Sequence, residues 1–399
     1  MRGNNFLEKM ELIDPAYVEA ADTVPKRKEI TWIKWGAIAA CLALVIHAGI
    51  KFLPQETPEE HLDLPILSVS DEVFGENLLG GYEGYMAYDI SELVNANPWN
   101  ENLELPTLPV YKNPLTYDET KGITTGASFD EMQEVLLEMA DRLGVEAEWM
   151  TVVEERPYEE IQHKIGDESE RVFEPINLIT ETDGIRISVG RTLHVTISFE
   201  PAISLPDEYK FTHYESSYED MCAVAEYLKK EYENIIAMDA PETNISGGDY
   251  TFDAQQTYDI DFFDMSGTDV EKIVNYNFNR ASFSCNDEGQ LYRISISQPD
   301  LSKKVGDYPI ITSKQARKLL SEGNYLTTVP YEIPGLAYVK KVELVYLGGG
   351  KTECYMPYYR FYVELLEAER ENGLKTYGAY YVPAVEETYL SNMPKDVNP

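Results

Sequence analysis

The sequence predicts an α+β chain: one N-terminal transmembrane helix followed by two or three modules, each a helix leading into an antiparallel sheet. Three observations carry this expectation. An apolar run covers residues 32–53, "WIKWGAIAACLALVIHAGIKFL". Three amphipathic helical patterns with polar caps recur beyond it, near residues 128, 217 and 312. Each of these is trailed by segments that alternate apolar and polar residues with the period of a strand.

Residues 1–31 read as a short cytoplasmic head. Phe6, Leu7, Met10, Leu12 and Ile13 are near-helically spaced, and a second turn through Tyr17, Val18 and Ala21 follows Pro15. Next comes the apolar run, whose 22 positions span about 33 Å as a helix, against about 30 Å of bilayer core. Trp32, Lys34 and Trp35 would sit at one membrane interface and Lys51 at the other, with His47 the one strongly polar side chain inside. A cleaved signal fits less well, because 31 mixed residues precede the run and no A-x-A site follows it. "IAAC" at 38–41 matches a lipobox, yet only about six apolar residues precede Cys41, and the run continues beyond it. Lys26, Arg27, Lys28 and Lys34 before the span, against Lys51 close after it, predict a cytoplasmic N-terminus and an extracellular body.

"LPQETPEEHLDLP" (53–65) reads as an extended spacer, and residues 54–115 as spacer plus short strands wrapping a neighbouring module. "TLPVYKNP" within it is predicted to be an edge strand. The first module is expected over 116–206. Its helix (128–144) has Ser128 as N-cap, Glu131 completing a capping box and Gly144 ending it. The strands "INLITE", "GIRISVG" and "TLHVTISFE" follow. A second module over 207–304 pairs the helix 217–232 with "YTFDAQQTYDIDFFD", "YNFNRASFSC" and "QLYRISISQP". The last, over 305–399, pairs the helix 312–323 with "AYVKKVELVYLG", "YYRFYVELLE" and "TYGAYYVPAVE".

The formal charge is −37, and residues 1–34 are neutral, with six basic and six acidic side chains. The whole excess therefore lies after residue 34. Such a polyanion repels a phosphate backbone, which excludes nucleic acid as a partner. Beyond Cys41 the cysteines are Cys222, Cys285 and Cys354, an odd number without short spacings. That encodes neither a disulfide framework nor a zinc site, and leaves one bridge among the three open.

"YPIITSKQARKLLSEGNY … VKKVELVYLGGGKTECYMPYYRFYVEL … YGAYYVPAVE" resembles the extracytoplasmic PepSY-like modules and the YycH and YycI regulators of Gram-positive bacteria. Together with "ELIDPAYVEAA … WIKWGAIAACLAL", the chain is similar to single-pass membrane proteins of Gram-positive anaerobes that act as anti-sigma-like regulators. The resemblance covers roughly residues 5–50 and 308–390. It implies regulation or binding, and brings no catalytic residue with it. Zinc-type anti-sigma domains carry a His and Cys cluster, whereas residues 1–31 have neither residue.

Candidate chemistry is sparse. "YLGGGKT" (346–352) lacks a P-loop's first glycine, Val345 standing there, and is predicted to be a hairpin turn. Asp259, Asp261, Asp264 and Asp269 fail calcium-loop spacing, since Asp264 occupies the position of the required glycine. His163, His194 and His213 stand at unrelated spacings, and no nucleophile elbow occurs. In "YYRFYVE", Tyr359, Phe361, Val363 and Leu365 form the natural core face. Tyr358, Arg360 and Tyr362 alternate with them, as candidate ligand-facing residues or as a second covered face. No catalytic residue, metal or cofactor is predicted. The functional expectation is a non-enzymatic envelope sensor or regulator. Its partners would be the membrane, a cytoplasmic sigma factor or kinase at residues 1–31, and an envelope peptide or glycan. The alternatives are a surface-binding scaffold without signalling and a carboxylate-based hydrolase.

Overall fold

The structure is a computed structural model that describes residues 63–69, 84–87, 89–115, 117–118, 122–123, 126–147, 151–153, 177–251, 253–347, 352–368 and 373–395. The strands β1 (Gly84–Ala87), β2 (Thr107–Lys112), β3 (Tyr117–Asp118) and β4 (Gly122–Ile123) come first. Helix α1 (Phe129–Leu143) leads to β5 (Thr151–Val153), β6 (Asn177–Thr182), β7 (Ile185–Gly190) and β8 (Val195–Ile203). Helices α2 (Tyr218–Glu231) and α3 (Glu233–Ile236) precede β9 (Pro241–Tyr250) and β10 (Gln256–Asp264). Helix α4 (Asp269–Phe278) precedes β11 (Arg280–Cys285), β12 (Leu291–Ser297) and β13 (Lys304–Pro309). Helix α5 (Ser313–Ser321) then leads to β14 (Val339–Leu347), β15 (Cys354–Glu364) and β16 (Lys375–Pro383).

The helices form where the caps direct them. Ser128, Ser217 and Thr312 each accept the backbone N–H three residues on, and Glu131, Asp220 and Gln315 return the bond to the cap's own N–H. Gly144 closes α1 in the left-handed conformation at φ +67°. Helix α4 takes up the first residues of the expected strand "YNFNRASFSC", and β11 begins only at Arg280. Thr268 and Glu271 form the capping box of α4, and Ile273 and Val274 bury its apolar face.

The expected fold class needs correction. The modules do not each own a sheet. Strands β5 to β12 form one eight-stranded antiparallel sheet, in the order β5-β6-β7-β8-β12-β11-β10-β9. The pairing of β8 with β12 (Ile197 opposite Ile294) joins two modules expected to be separate. A second antiparallel sheet runs β1-β16-β15-β2-β13, with β14 also paired to β15. Thus β2 lies between β15 and β13 and is not an edge.

The transmembrane helix also needs correction. Among the described residues no helix is long and apolar enough to cross a membrane. The longest, α1, has 15 residues and so spans about 22 Å, short of a bilayer core of about 30 Å. Residues 32–53, with Trp32, Lys34, Trp35 and Lys51, lie outside the described residues, as do residues 1–31 and 348–351.

One core fills the space between the large sheet and helices α1–α3, with Leu136, Ile187, Ile197, Met221, Leu228, Phe262 and Ile294 at its centre. Side chains of this size each contribute about 1.5–3 kcal/mol when withdrawn from water. The small sheet is covered on both faces. Helices α4 and α5 pack Ile273 and Leu320 against Phe361 and Tyr380. On the other face, Leu67, Val69, Leu326 and Val385 cover Tyr358, Tyr362 and Tyr381. Both sheets belong to one compact unit, Leu64–Pro399.

Candidate functional site

A strap over residues 92–99 fixes one sheet beside the other. Val94 exchanges backbone hydrogen bonds with Gly247 of β9, at the edge of the large sheet. The Ala96 N–H donates to Asn244 Oδ1, and Asn97 Nδ2 donates to the Leu344 carbonyl of β14 in the small sheet. Beside this strap the outer face of β9–β11 meets β14 and β15 around a cleft of about 520 Å³. That volume is within the range of about 300–1,000 Å³ common to small-molecule sites.

Two buried carboxylates organise its floor. Glu343 on β14 stands directly opposite Arg360 on β15. It is 3% exposed and accepts from Arg360 Nη2 (2.6 Å) and Nε (3.1 Å), Lys341 Nζ (2.9 Å), Asn95 Nδ2 (2.6 Å) and the Tyr362 hydroxyl (3.3 Å). Burial alone would raise its pKa. The charges of Arg360 and Lys341 outweigh burial and bring it down to about 2. Asp261 on β10 is the counterpart in the large sheet. It accepts both Nε and Nη2 of Arg280 and Asn244 Nδ2. Here burial is the largest influence and pushes the carboxyl up, against the pull of Arg280. Tyr276 of α4 lies between these two networks, under the Arg280 guanidinium, and burial raises its hydroxyl to about 12.

The rim is acidic. His213 Nδ1 faces two acceptors, Asp259 Oδ1 (3.1 Å) and the Tyr258 carbonyl (3.3 Å), so the proton belongs on Nδ1. The bond to Asp259 raises the imidazole pKa above its ordinary value, against partial burial. Asp249 accepts the Thr257 hydroxyl at 2.6 Å. Gly247 and Gly248 let β9 pass beneath the strap. Gly248 has φ +87°, and a Cβ there would overlap the Glu92 carbonyl.

The candidate residues of β15 divide between core and cleft. Tyr358 is packed in the core with Met356 and Tyr381. Arg360 and Tyr362 border the cleft, although both are committed to Glu343. The predicted core face, Tyr359, Phe361, Val363 and Leu365, is buried. Asp259 and Asp261 share one strand face, while Tyr258, Ile260 and Phe262 enter the core opposite. Asp264 instead accepts the backbone N–H groups of Asp239, Ala240 and Ser266. His194 stands in a separate pocket lined from β6, β7 and β8, away from His213. Cys222, Cys285 and Cys354 are free and partly buried, and burial raises the thiols of Cys285, to about 12, and Cys354. Among the described residues no group of three His, Cys, Asp or Glu side chains could hold a metal ion.

Sequence reasoning missed Glu343, Lys341 and Arg280. Their signal was Glu343 opposite Arg360 and Arg280 beside Asp261, visible only once strand register is known. No protein-family model matches the chain and no curated protein matches it, so the regulator-like resemblances rest on the residues quoted above alone.

Proposed function

We propose that this chain is a non-enzymatic binding protein of the cell envelope, which senses or regulates by taking a small polar ligand between its two sheets. The cleft beside the strap carries the reading. Its charged walls are held in place by buried ion pairs and by Asn95, and walls fixed before binding reduce the ordering entropy that a ligand must overcome. The resemblance over 308–390 supports an envelope role, and the polyanionic composition supports a ligand other than nucleic acid. In this reading residues 1–31 hand the signal to a regulator such as a sigma factor or a kinase. Deleting residues 1–25 tests that half: unchanged partners and phenotypes would reduce the protein to a surface-binding scaffold.

The binding half is tested by thermal-shift titration of the full chain with free dipeptides, neutral disaccharides and inorganic phosphate. At about 10 mM even a ligand with millimolar affinity raises Tm, because it binds the folded state alone. The expected result is a saturable rise with one class, the probe being recovered intact by mass spectrometry. Turnover of the probe would make the protein an enzyme, with the His213–Asp259 pair the first residues to substitute. Absence of any shift across the panel would refute the binding reading.

A further inference from the structure

We infer that the ligand of this cleft is a zwitterion of dipeptide size, its carboxylate held by Lys341 and Arg280 and its ammonium by Asp249 and Asp259. The inference rests on the binding reading above and names the chemistry of its ligand.

The cleft has unspent hydrogen-bonding capacity of opposite sign on two sides. An ammonium has three N–H donors and a guanidinium five. Lys341 spends two, on Glu343 Oε1 at 2.9 Å and on the Leu93 carbonyl at 3.1 Å. Arg280 uses Nε and Nη2 for Asp261, which leaves both Nη1 hydrogens without an acceptor among the described residues. Neither side chain is sealed off: Lys341 is 25% exposed and Arg280 29%. On the rim, Asp249 and Asp259 each commit only Oδ1, to Thr257 and to His213, and each Oδ2 has no donor among the described residues.

Charge counting points the same way. Lys341, Arg280 and Arg360 carry three positive charges against the two of Glu343 and Asp261, so the floor is net positive in a chain of net charge −37. The rim, Asp249 and Asp259, is net negative, and stays so when His213 is protonated, with two carboxylates against one imidazolium. A plain anion would be drawn to the floor and repelled at the rim. A plain cation would meet the reverse. A neutral sugar would cover the floor's excess positive charge and the rim carboxylates without supplying a counter-charge, which is costly. A zwitterion satisfies both. Size selects a dipeptide over a single amino acid: in an extended dipeptide the ammonium and carboxylate stand about 5–6 Å apart, and a 520 Å³ cleft is equivalent to a sphere about 10 Å across.

The test is calorimetric titration of the full chain with free dipeptides, the tightest then compared with its N-acetylated and C-amidated forms. Blocking either end is expected to weaken binding at least tenfold, since a charge-assisted hydrogen bond is lost and its partner left unpaired. Lys341→Gln is expected to weaken the free dipeptide at least tenfold and leave the amide unchanged. Asp249→Asn, which touches neither buried carboxylate, is expected to weaken the free dipeptide and leave the N-acetyl form unchanged. Binding of a disaccharide or phosphate with no dipeptide binding would overturn the zwitterion while leaving the binding reading intact. Equal affinity for free and blocked dipeptides, or for wild type and both variants, would overturn it as well. No binding by any probe class would remove both.

Discussion

Replacing Glu343 by glutamine keeps the shape of the side chain and removes its charge, leaving Arg360 and Lys341 facing an amide at a 3% exposed position. Two routes give the size of the effect. Removing one partner from a buried ion pair costs about 3–5 kcal/mol, because the other charge stays buried and uncompensated. The carboxyl titrates at about 2 in the fold against 4.5 ordinarily, a difference equivalent to about 3 kcal/mol of stability. Its folded pKa is depressed, so this stability is complete above pH 4.5 and is lost as pH falls toward 2. Urea unfolding of wild type and Glu343→Gln, followed by aromatic fluorescence, is therefore expected to differ by about 3 kcal/mol at pH 7. At pH 3.5 the difference should be about 1.4 kcal/mol smaller, because the wild-type contribution has begun to titrate away. A gap under about 1 kcal/mol at pH 7, or one that does not narrow on acidification, would refute the assignment of Glu343 as the charged centre of the floor.

Ser128→Ala removes the hydroxyl that caps α1 and breaks its capping box. Stability should fall by about 1 kcal/mol, read as a lower urea midpoint with an unchanged slope. Gly248→Ala places a methyl group against the Glu92 carbonyl at a backbone angle suited to glycine. It should cost at least about 2 kcal/mol, and hydrogen exchange should show faster exchange of the Val94 and Gly247 amides. His213 should titrate above its ordinary pKa of 6.5 by NMR, and Asp259→Asn should lower it, since the Asp259 hydrogen bond is the largest cause. The stability gained from that pair should be present below pH 6.5 and be lost as pH rises through the folded-state value.

Helices α1, α2 and α5 were legible because their signals are local. Ser128 with Glu131, Ser217 with Asp220 and Thr312 with Gln315 each state a helix start within four residues. Most strands were legible by alternation, as in β10, where Tyr258, Ile260 and Phe262 face the core. The joining of two expected modules into one sheet was not legible. It depends on β8 pairing with β12 across some ninety residues, and either strand's alternation fits any apolar-faced neighbour equally well. Helix α4 was hidden by the aromatic residues at its end, Tyr276 and Phe278. Thr268 and Glu271 were the available signal. The site was half legible. Arg360 and Tyr362 were singled out, but alternation cannot tell a ligand-facing row from a second buried face, and Tyr358 proved to be core. Glu343, Lys341 and Arg280 became candidates only when register set Glu343 opposite Arg360 and brought both sheets to the strap.

Ligand is expected to bind where β9–β11 meet β14 and β15. A crystal structure of the chain with its tightest dipeptide tests this most directly. Density for the dipeptide is expected in that cleft, with its carboxylate within hydrogen-bonding distance of Lys341 Nζ and Arg280 Nη1 and its ammonium facing Asp249 and Asp259. Density on another face, with this cleft holding only solvent, would contradict it.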